Sequence, residues 1–231
     1  MKRRRELHFD VAVIGGGSAG YTAARVAASA GLNTAVIEGG NEVGGLCILR
    51  GCMPTKALLY AAEVIHLARR ANTWGIRASD VGFDFAQVMA RKNALIKEFA
   101  DYRTQQLASG KFEFIRATAR FTDPHTLELS TADTLTAKHF VISTGSVVAP
   151  PPLPQLKDVG YLTSDDALRL VKAPRSLIVL GGGAVAAEFA QFFARFDVKI
   201  TLIQRSKHIL HDFDADAATA LESVFRREGI T

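Results

Sequence analysis

Cysteine is nearly absent: 231 residues contain two, Cys47 and Cys52. A disulfide framework of the kind that staples small secreted domains is therefore excluded. Long apolar runs are missing as well. None approaches the ~20 residues of a bilayer-spanning helix, so no membrane partner is expected. The basic start Lys2-Arg3-Arg4-Arg5 is not followed by the apolar stretch of a secretory signal, so the chain is expected to be cytoplasmic and this tail solvated. The six histidines (His8, His66, His125, His139, His208, His211) never recur at metal-ligand spacing, and no metal site is expected. The net charge is +5, but its cations are not interleaved with aromatics on one face, so no nucleic-acid partner is expected. What remains is an ordinary globular composition, 48% hydrophobic and 22% charged.

Glycine is where the sequence is rich. Gly15-Gly16-Gly17-Ser18-Ala19-Gly20 follows the apolar run Val11-Ala12-Val13-Ile14, and Gly181-Gly182-Gly183-Ala184-Val185-Ala186 follows Leu177-Ile178-Val179-Leu180. The two turns match position for position, with Gly15, Gly17 and Gly20 answering to Gly181, Gly183 and Ala186. Each opens an alanine-rich helix, predicted over 18–30 and 184–196, and each helix leads to a second strand, predicted over 34–37 and 199–203. This repeated strand–turn–helix–strand context predicts an α/β protein with two Rossmann-like dinucleotide-binding units. The glycines let the backbone turn tightly against a pyrophosphate. The helix N-terminus, at Ser18-Ala19 or Ala184-Val185, supplies N–H donors and the positive end of the dipole.

The residue closing the second strand differs between the units. Glu38 can accept hydrogen bonds from both hydroxyls of an adenosine ribose and would repel a 2′-phosphate. Gln204 is uncharged and is followed by Arg205, with Lys207 nearby, which leans the second site to NADPH. A glutamine also binds plain ribose hydroxyls, and Arg205 and Lys207 also fit a solvated loop, so NADH stays open.

Four residues separate Cys47 from Cys52. Gly44-Gly45 precede the pair and Gly51 lies within it, so the backbone can pass close to a flat ligand. Pro54 stands where a helix is predicted to begin, running over residues 53–71. A thiol just before a helix N-terminus is favoured as the thiolate, and Lys56 adds positive charge in the first turn. Two buried small hydrophobes would be the plainer reading of two free cysteines. The flanking glycines and the helix start weigh against it, and a zinc half-site lacks a second pair of ligands.

The segment from Gly44-Gly45-Leu46-Cys47 through Gly51-Cys52-Met53-Pro54-Thr55-Lys56 resembles the redox signature of the class I pyridine nucleotide-disulfide oxidoreductases, the family of glutathione reductase, dihydrolipoamide dehydrogenase and mercuric reductase. The resemblance extends over the flavin fingerprint, Ala117-Thr118-Ala119-Arg120-Phe121, Ser143-Thr144-Gly145-Ser146 and the unit from Ile178 onward. It implies a β/β/α three-layer architecture, with an FAD-binding domain over residues 1–150 and an incomplete NAD(P)-binding domain over 151–231. It implies that Gly15, Gly17, Ser18, Ala19, Gly20 and Glu38 hold the ADP half of FAD, and that Gly45, Leu46, Gly51, Ala119, Thr144 and Gly145 also face that cofactor. Cys47 would be the interchange thiol. Cys52 would lie against the flavin, and Lys56 would pair with Glu188 near the atom that receives hydride. Gly181, Gly183, Ala184, Val185, Ala186, Gln204 and Arg205 would hold the nicotinamide dinucleotide. Leu46 stands where most members carry threonine, and Ala117 where glycine is usual.

The implied activity passes electrons from NAD(P)H through FAD to the Cys47–Cys52 disulfide and on to a small disulfide or thiol-reactive substrate. The resemblance also makes the chain the N-terminal fragment of a longer, homodimeric enzyme, inactive by itself in substrate turnover. A flavin-bound redox sensor, a nucleotide-binding remnant and a pyridine nucleotide transhydrogenase are the other readings. The cysteine pair argues against the last, because moving hydride between nicotinamides needs no thiol.

Elsewhere an amphipathic helix is predicted over 83–109, and two or three strands over 112–130 with a turn at Asp123-Pro124-His125. A buried strand is expected at Phe140-Val141-Ile142. The prolines at 150–154 mark an extended linker.

Overall fold

The computed structural model describes residues 5–231, and the chain divides into two compact units. The basic tail lies outside the described residues except for Arg5. The first unit comprises the described residues through Cys52 together with Ile96–Ala149. Its core is a six-stranded sheet. Strand β1 (Glu6–Ile14) is followed by helix α1 (Ser18–Ser29), strand β2 (Thr34–Ile37) and the short helix α2 (Gly45–Leu49). Later in the chain come β3 (Glu113–Ile115), β4 (Ala119–Asp123), β5 (Thr126–Leu129) and β6 (Thr134–Ile142). The order across the sheet is β3-β2-β1-β6-β5-β4. β1 pairs in parallel with both β2 and β6, while β4, β5 and β6 form an antiparallel meander. This is the Rossmann-like α/β fold that the glycine turns predict.

Parallel strands covered on both faces need apolar residues at every position. β2 is buried at all four, and Val11, Ala12 and Val13 of β1 are buried in succession. Alternation then sends Ala12, Ala35 and Ile37 to one face, with Leu127 and Leu135. It sends Val11, Val13 and Val36 to the other, with Ala24, Leu107 and Phe112.

Arg5 is tied rather than free. Its backbone N–H donates to Asp133 Oδ1 at 3.0 Å and its guanidinium to Oδ2 at 2.8 Å. These bonds, the side-chain one foremost, pull the Asp133 carboxyl down from 3.8 to about 2. A depressed carboxylate stabilises the fold above its unfolded value and loses that contribution as pH falls through the folded one. The melting-temperature gap between the protein and Arg5→Gln is therefore expected to be full above about pH 4 and to close toward about pH 2. A gap that persists unchanged at the acid end would assign the effect to another group.

The second unit comprises Met53–Leu95 with Pro150–Thr231. Helix α3 (Cys52–Arg69) begins at the junction and leads through a 3₁₀ turn, Ala71–Trp74, to α4 (Phe85–Leu107), whose C-terminal half returns to the first unit. The short helices α5 (Leu156–Val159) and α6 (Ser164–Ala167) precede β7 (Ser176–Leu180), α7 (Ala184–Arg195), β8 (Lys199–Ile203) and α8 (Ala215–Arg227). β7 and β8 pair in parallel. Phe85 of α4 and Phe192, Phe193 and Phe196 of α7 and its cap make ring contacts at 4.9–6.2 Å. Leu58, Ala62 and Ile65 of α3 join the same core. Two cations lie beside it, Lys92 buried and Arg195 partly buried. Lys92 donates to the Leu168 carbonyl at 2.6 Å. Arg195 pairs with Glu228 at 2.8 Å and also with Glu63.

The main helices and strands stand within a few residues of expectation, except that the strand expected at Phe140-Val141-Ile142 begins at Thr134 and is only partly buried at Phe140 and Val141, with Ile142 exposed. The long helix is Phe85–Leu107, and the cysteine helix starts one residue early, at Cys52 itself. The short helices α2, α5 and α6 were not foreseen. Beyond α8, Thr231 bonds to Ile200 and Leu202 along the edge of β8. Among the described residues no helix is long and apolar enough to cross a membrane.

Candidate functional site

The first glycine turn joins β1 to α1. Gly15 has φ +107°, a conformation that only glycine adopts readily, and its N–H donates to the Ile37 carbonyl at 2.8 Å. Glu38, at the end of β2, reaches back over the turn. Its carboxylate accepts from the N–H of Gly16 at 2.8 Å and from that of Gly40 at 2.7 Å. Gly17 caps α1 with no side-chain hydrogen bond, and the first turn of α1 carries no acidic residue. Its N–H groups and dipole are thus left to an outside acceptor. A Cβ at Gly45 would lie 2.5 Å from Gly17 Cα, so the cysteine segment runs against the turn backbone to backbone. This bare, uncapped cradle fits the pyrophosphate of FAD, with the Glu38 carboxylate at the end of the neighbouring strand.

Thr144 and Gly145 follow β6 and are exposed, and Gly145 has φ +75°. Ser143, just before them, was not singled out as a site residue. Its hydroxyl donates to the carbonyls of Ile14 and Gly15 at 3.0 and 3.1 Å and fixes the turn against β6. Ala119 opens β4 and is partly buried, and Leu46 is exposed on α2.

Cys47 lies on α2 and is half-buried; Cys52 opens α3 and is exposed; both are free thiols. The Cys52 hydrogen bond, then burial, push the Cys47 thiol upward, and a hydrogen bond from the Ser18 hydroxyl pulls the other way. Ser18 is the first residue of α1, the helix that the glycine turn begins. Lys56 lies one turn along α3 and is ion-paired with Glu188 of α7, 132 residues away.

The second turn repeats the first in its own unit. Gly181 has φ +115° and donates to the Ile203 carbonyl at 2.8 Å, the counterpart of the Gly15–Ile37 bond. Gly183 caps α7 without a side-chain bond, and the first turn, with Ala184, Val185 and Ala186, again has no acid. A Cβ at Gly182 would meet Gln204 Oε1 at 2.9 Å. Gln204 thus covers its turn as Glu38 covers the other, but its carboxamide donates to the Ser206 carbonyl. Arg205 and Lys207 are exposed.

Two further paired residues escaped sequence reasoning. Tyr21 of α1 and Arg103 of α4 are stacked, and no local pattern links positions so far apart.

A Rossmann-type unit with an uncapped glycine turn and an adjacent dithiol defines a nucleotide-dependent oxidoreductase class. The chain belongs to the pyridine nucleotide-disulphide oxidoreductases, whose family description matches residues 9–231. The family is FAD-dependent and uses a pyridine nucleotide. Curated relatives include a mercuric reductase of Streptomyces lividans, 37% identical over 96% of this chain and 48% of its own. A dihydrolipoyl dehydrogenase of Bacillus subtilis is 36% identical over 96% of this chain and 49% of its own. Among solved structures, the HOCl-induced flavoprotein disulfide reductase RclA from Escherichia coli aligns with a TM-score of 0.79 at 29% identity, covering 96% of this chain and 48% of that one. The chain spans about half the length of the curated relatives it matches.

Proposed function

We propose that the protein passes electrons from NAD(P)H through FAD to the Cys47–Cys52 disulfide and from there to a small disulfide or thiol-reactive substrate. Residues 1–150 would bind FAD and residues 151–231 the nicotinamide dinucleotide, within a homodimer of the full-length protein. The single observation that carries this reading is the backbone approach of the cysteine segment to the glycine turn, where a Cβ at Gly45 would lie 2.5 Å from Gly17 Cα.

Bound FAD supplies the relay between a two-electron hydride donor and a disulfide. The hydride brings two electrons and one proton. With a second proton from solvent, the Cys47–Cys52 disulfide becomes two thiols. The Cys47 thiolate then attacks one sulfur of a substrate disulfide and expels the other as a thiolate. Cys52 attacks Cys47 in the resulting mixed disulfide, releases the second thiolate and restores the protein disulfide. Gly15, Gly17, Ser18, Ala19 and Gly20 hold the cofactor's pyrophosphate, and Glu38 its ribose. Gly45, Leu46, Gly51, Ala119, Thr144 and Gly145 line the rest. Lys56, ion-paired with Glu188, gives the relay a fixed positive charge. Gly181, Gly183, Ala184, Val185 and Ala186 take the nicotinamide dinucleotide's pyrophosphate. Gln204 and Arg205 favour NADPH over NADH. The names of the relatives, reductases and dehydrogenases, do not favour the sensor or transhydrogenase readings.

An anaerobic absorption titration of the full-length protein tests the route. NADPH is expected to produce a flavin spectrum with added long-wavelength absorbance, at lower concentration than NADH does. A flavin that only bleaches would uncouple the dithiol from the relay. A preparation that binds no flavin would overturn the proposal at its root.

A further inference from the structure

The loop that follows β8 is folded back onto the second glycine turn. The Leu210 N–H donates to the Gly182 carbonyl at 2.6 Å, and the Phe213 N–H donates to the Leu210 carbonyl at 2.8 Å. Leu210 takes φ +52°, a left-handed conformation that a side chain with a Cβ adopts at a cost. Gln204, where the loop begins, covers Gly182 and donates to the Ser206 carbonyl. Arg205 and Lys207 are exposed on this loop, and Ile209 is buried beneath it. Strain of the Leu210 kind persists only where the surroundings over-determine the backbone, and it gathers at functional sites.

What holds the loop from the other side is Glu222 of α8, a largely buried carboxylate. Its Oε1 accepts from the Ile209 N–H at 3.1 Å and lies 3.2 Å from His208 Nδ1. Its Oε2 accepts from Arg226, one turn further along the helix, at 3.3 Å. Burial opposes the charge, but the Ile209 N–H and then His208 outweigh it and hold the carboxyl below its ordinary value. Glu222 is thus a charged acceptor at neutral pH. Its bond falls on the residue just before Leu210, the residue that grips Gly182. Two consecutive backbone N–H groups therefore pin the loop, one to α8 and one to the glycine turn.

We propose that Glu222 is a positioning residue for nucleotide selection: by holding Ile209 it fixes the loop on Gly182 and sets Arg205 and Lys207 to meet a 2′-phosphate. The inference rests on the reading of the second glycine turn as the NADPH site. Glu222 touches no nucleotide in this role. The turn itself is built by other bonds, such as that of Gly181 to Ile203, so its grip on a pyrophosphate does not depend on Glu222. A loosened loop costs the contacts made by its own cations and spares the rest.

The test is calorimetric binding of two redox-inert probes, ADP-ribose and 2′-phospho-ADP-ribose, to the full-length flavin-loaded protein. Glu222→Asp keeps the charge but shortens the reach to Ile209. It is expected to weaken the 2′-phospho probe by about tenfold and ADP-ribose by no more than about twofold. Glu222→Gln keeps an acceptor oxygen at full reach and is expected to bind both probes as the unsubstituted protein does. Glu222→Ala is expected to show the same split as Glu222→Asp and serves if that variant does not fold. With Arg205→Gln and Lys207→Gln already in place, Glu222→Asp is expected to have no further effect on the 2′-phospho probe. Equal weakening of both probes overturns the inference, because Glu222 would then be a brace for the whole unit. So does a Glu222→Gln protein as weak as Glu222→Asp, or tighter 2′-phospho binding in Glu222→Ala, since charge rather than position would then be at work. An unsubstituted protein that binds the two probes alike overturns the NADPH reading beneath it.

Discussion

Cys52→Ser in the full-length protein is expected to lower disulfide turnover by roughly 10⁴-fold while leaving flavin bound and still reducible by NAD(P)H. Serine is close in size, and Cys52 is exposed at the start of α3, so the fold has little to lose. The chemistry has much to lose. Without a second sulfur, Cys47 can attack a substrate disulfide once, but nothing then resolves the mixed disulfide. The expected product is a stoichiometric adduct on Cys47, visible as a mass increase, with no second turnover. Turnover within tenfold of the unsubstituted protein would remove the dithiol from the electron path.

Gly20→Ala is expected to destabilise the protein by about 3 kcal/mol and to yield it without flavin. Helix propensity alone gives the opposite sign, since alanine is favoured over glycine inside a helix by about 1 kcal/mol. Geometry outweighs propensity here. A Cβ at Gly20 would collide with the Gly15 carbonyl oxygen and lie 2.6 Å from Ser143 Oγ. The first is backbone, and the second is anchored by hydrogen bonds to Ile14 and Gly15. Neither can retreat without opening the turn. Gly82→Ala is the control, because a Cβ there meets nothing within 4 Å. Chemical unfolding with flavin content measured in parallel separates the two variants. A Gly20→Ala protein as stable and as yellow as the control would show that the turn tolerates the extra atom.

Much of the candidate site was legible because it is local. Gly15 and Gly181 need positive φ, and the strand before each and the helix after it are neighbours in sequence. The matching bonds of Gly15 to Ile37 and Gly181 to Ile203 follow from that repeat. The cysteine helix was visible from Pro54, but α2 was not. Its five residues are too few to show a period, and a backbone approach of Gly45 to Gly17 fixes them in place. The division of the chain was hidden for a similar reason. Residues 53–95 join the later segment through Leu58, Ala62, Ile65 and Phe85, and a linear reading cannot see a core assembled from separated stretches.

The sequence by itself determined the parts whose physics is carried by a few consecutive residues: both glycine turns, the acid or amide that covers each, and the dithiol between glycines. Tertiary structure alone decided which distant side chains meet. Without the family resemblance Glu188 reads as an ordinary helix carboxylate, and it is α7 that brings it to Lys56. Arg103 reads as one cation among many until α4 lays it on Tyr21. Charge and hydrogen bonding act over a few ångströms of space, and those distances come into being only when the chain folds.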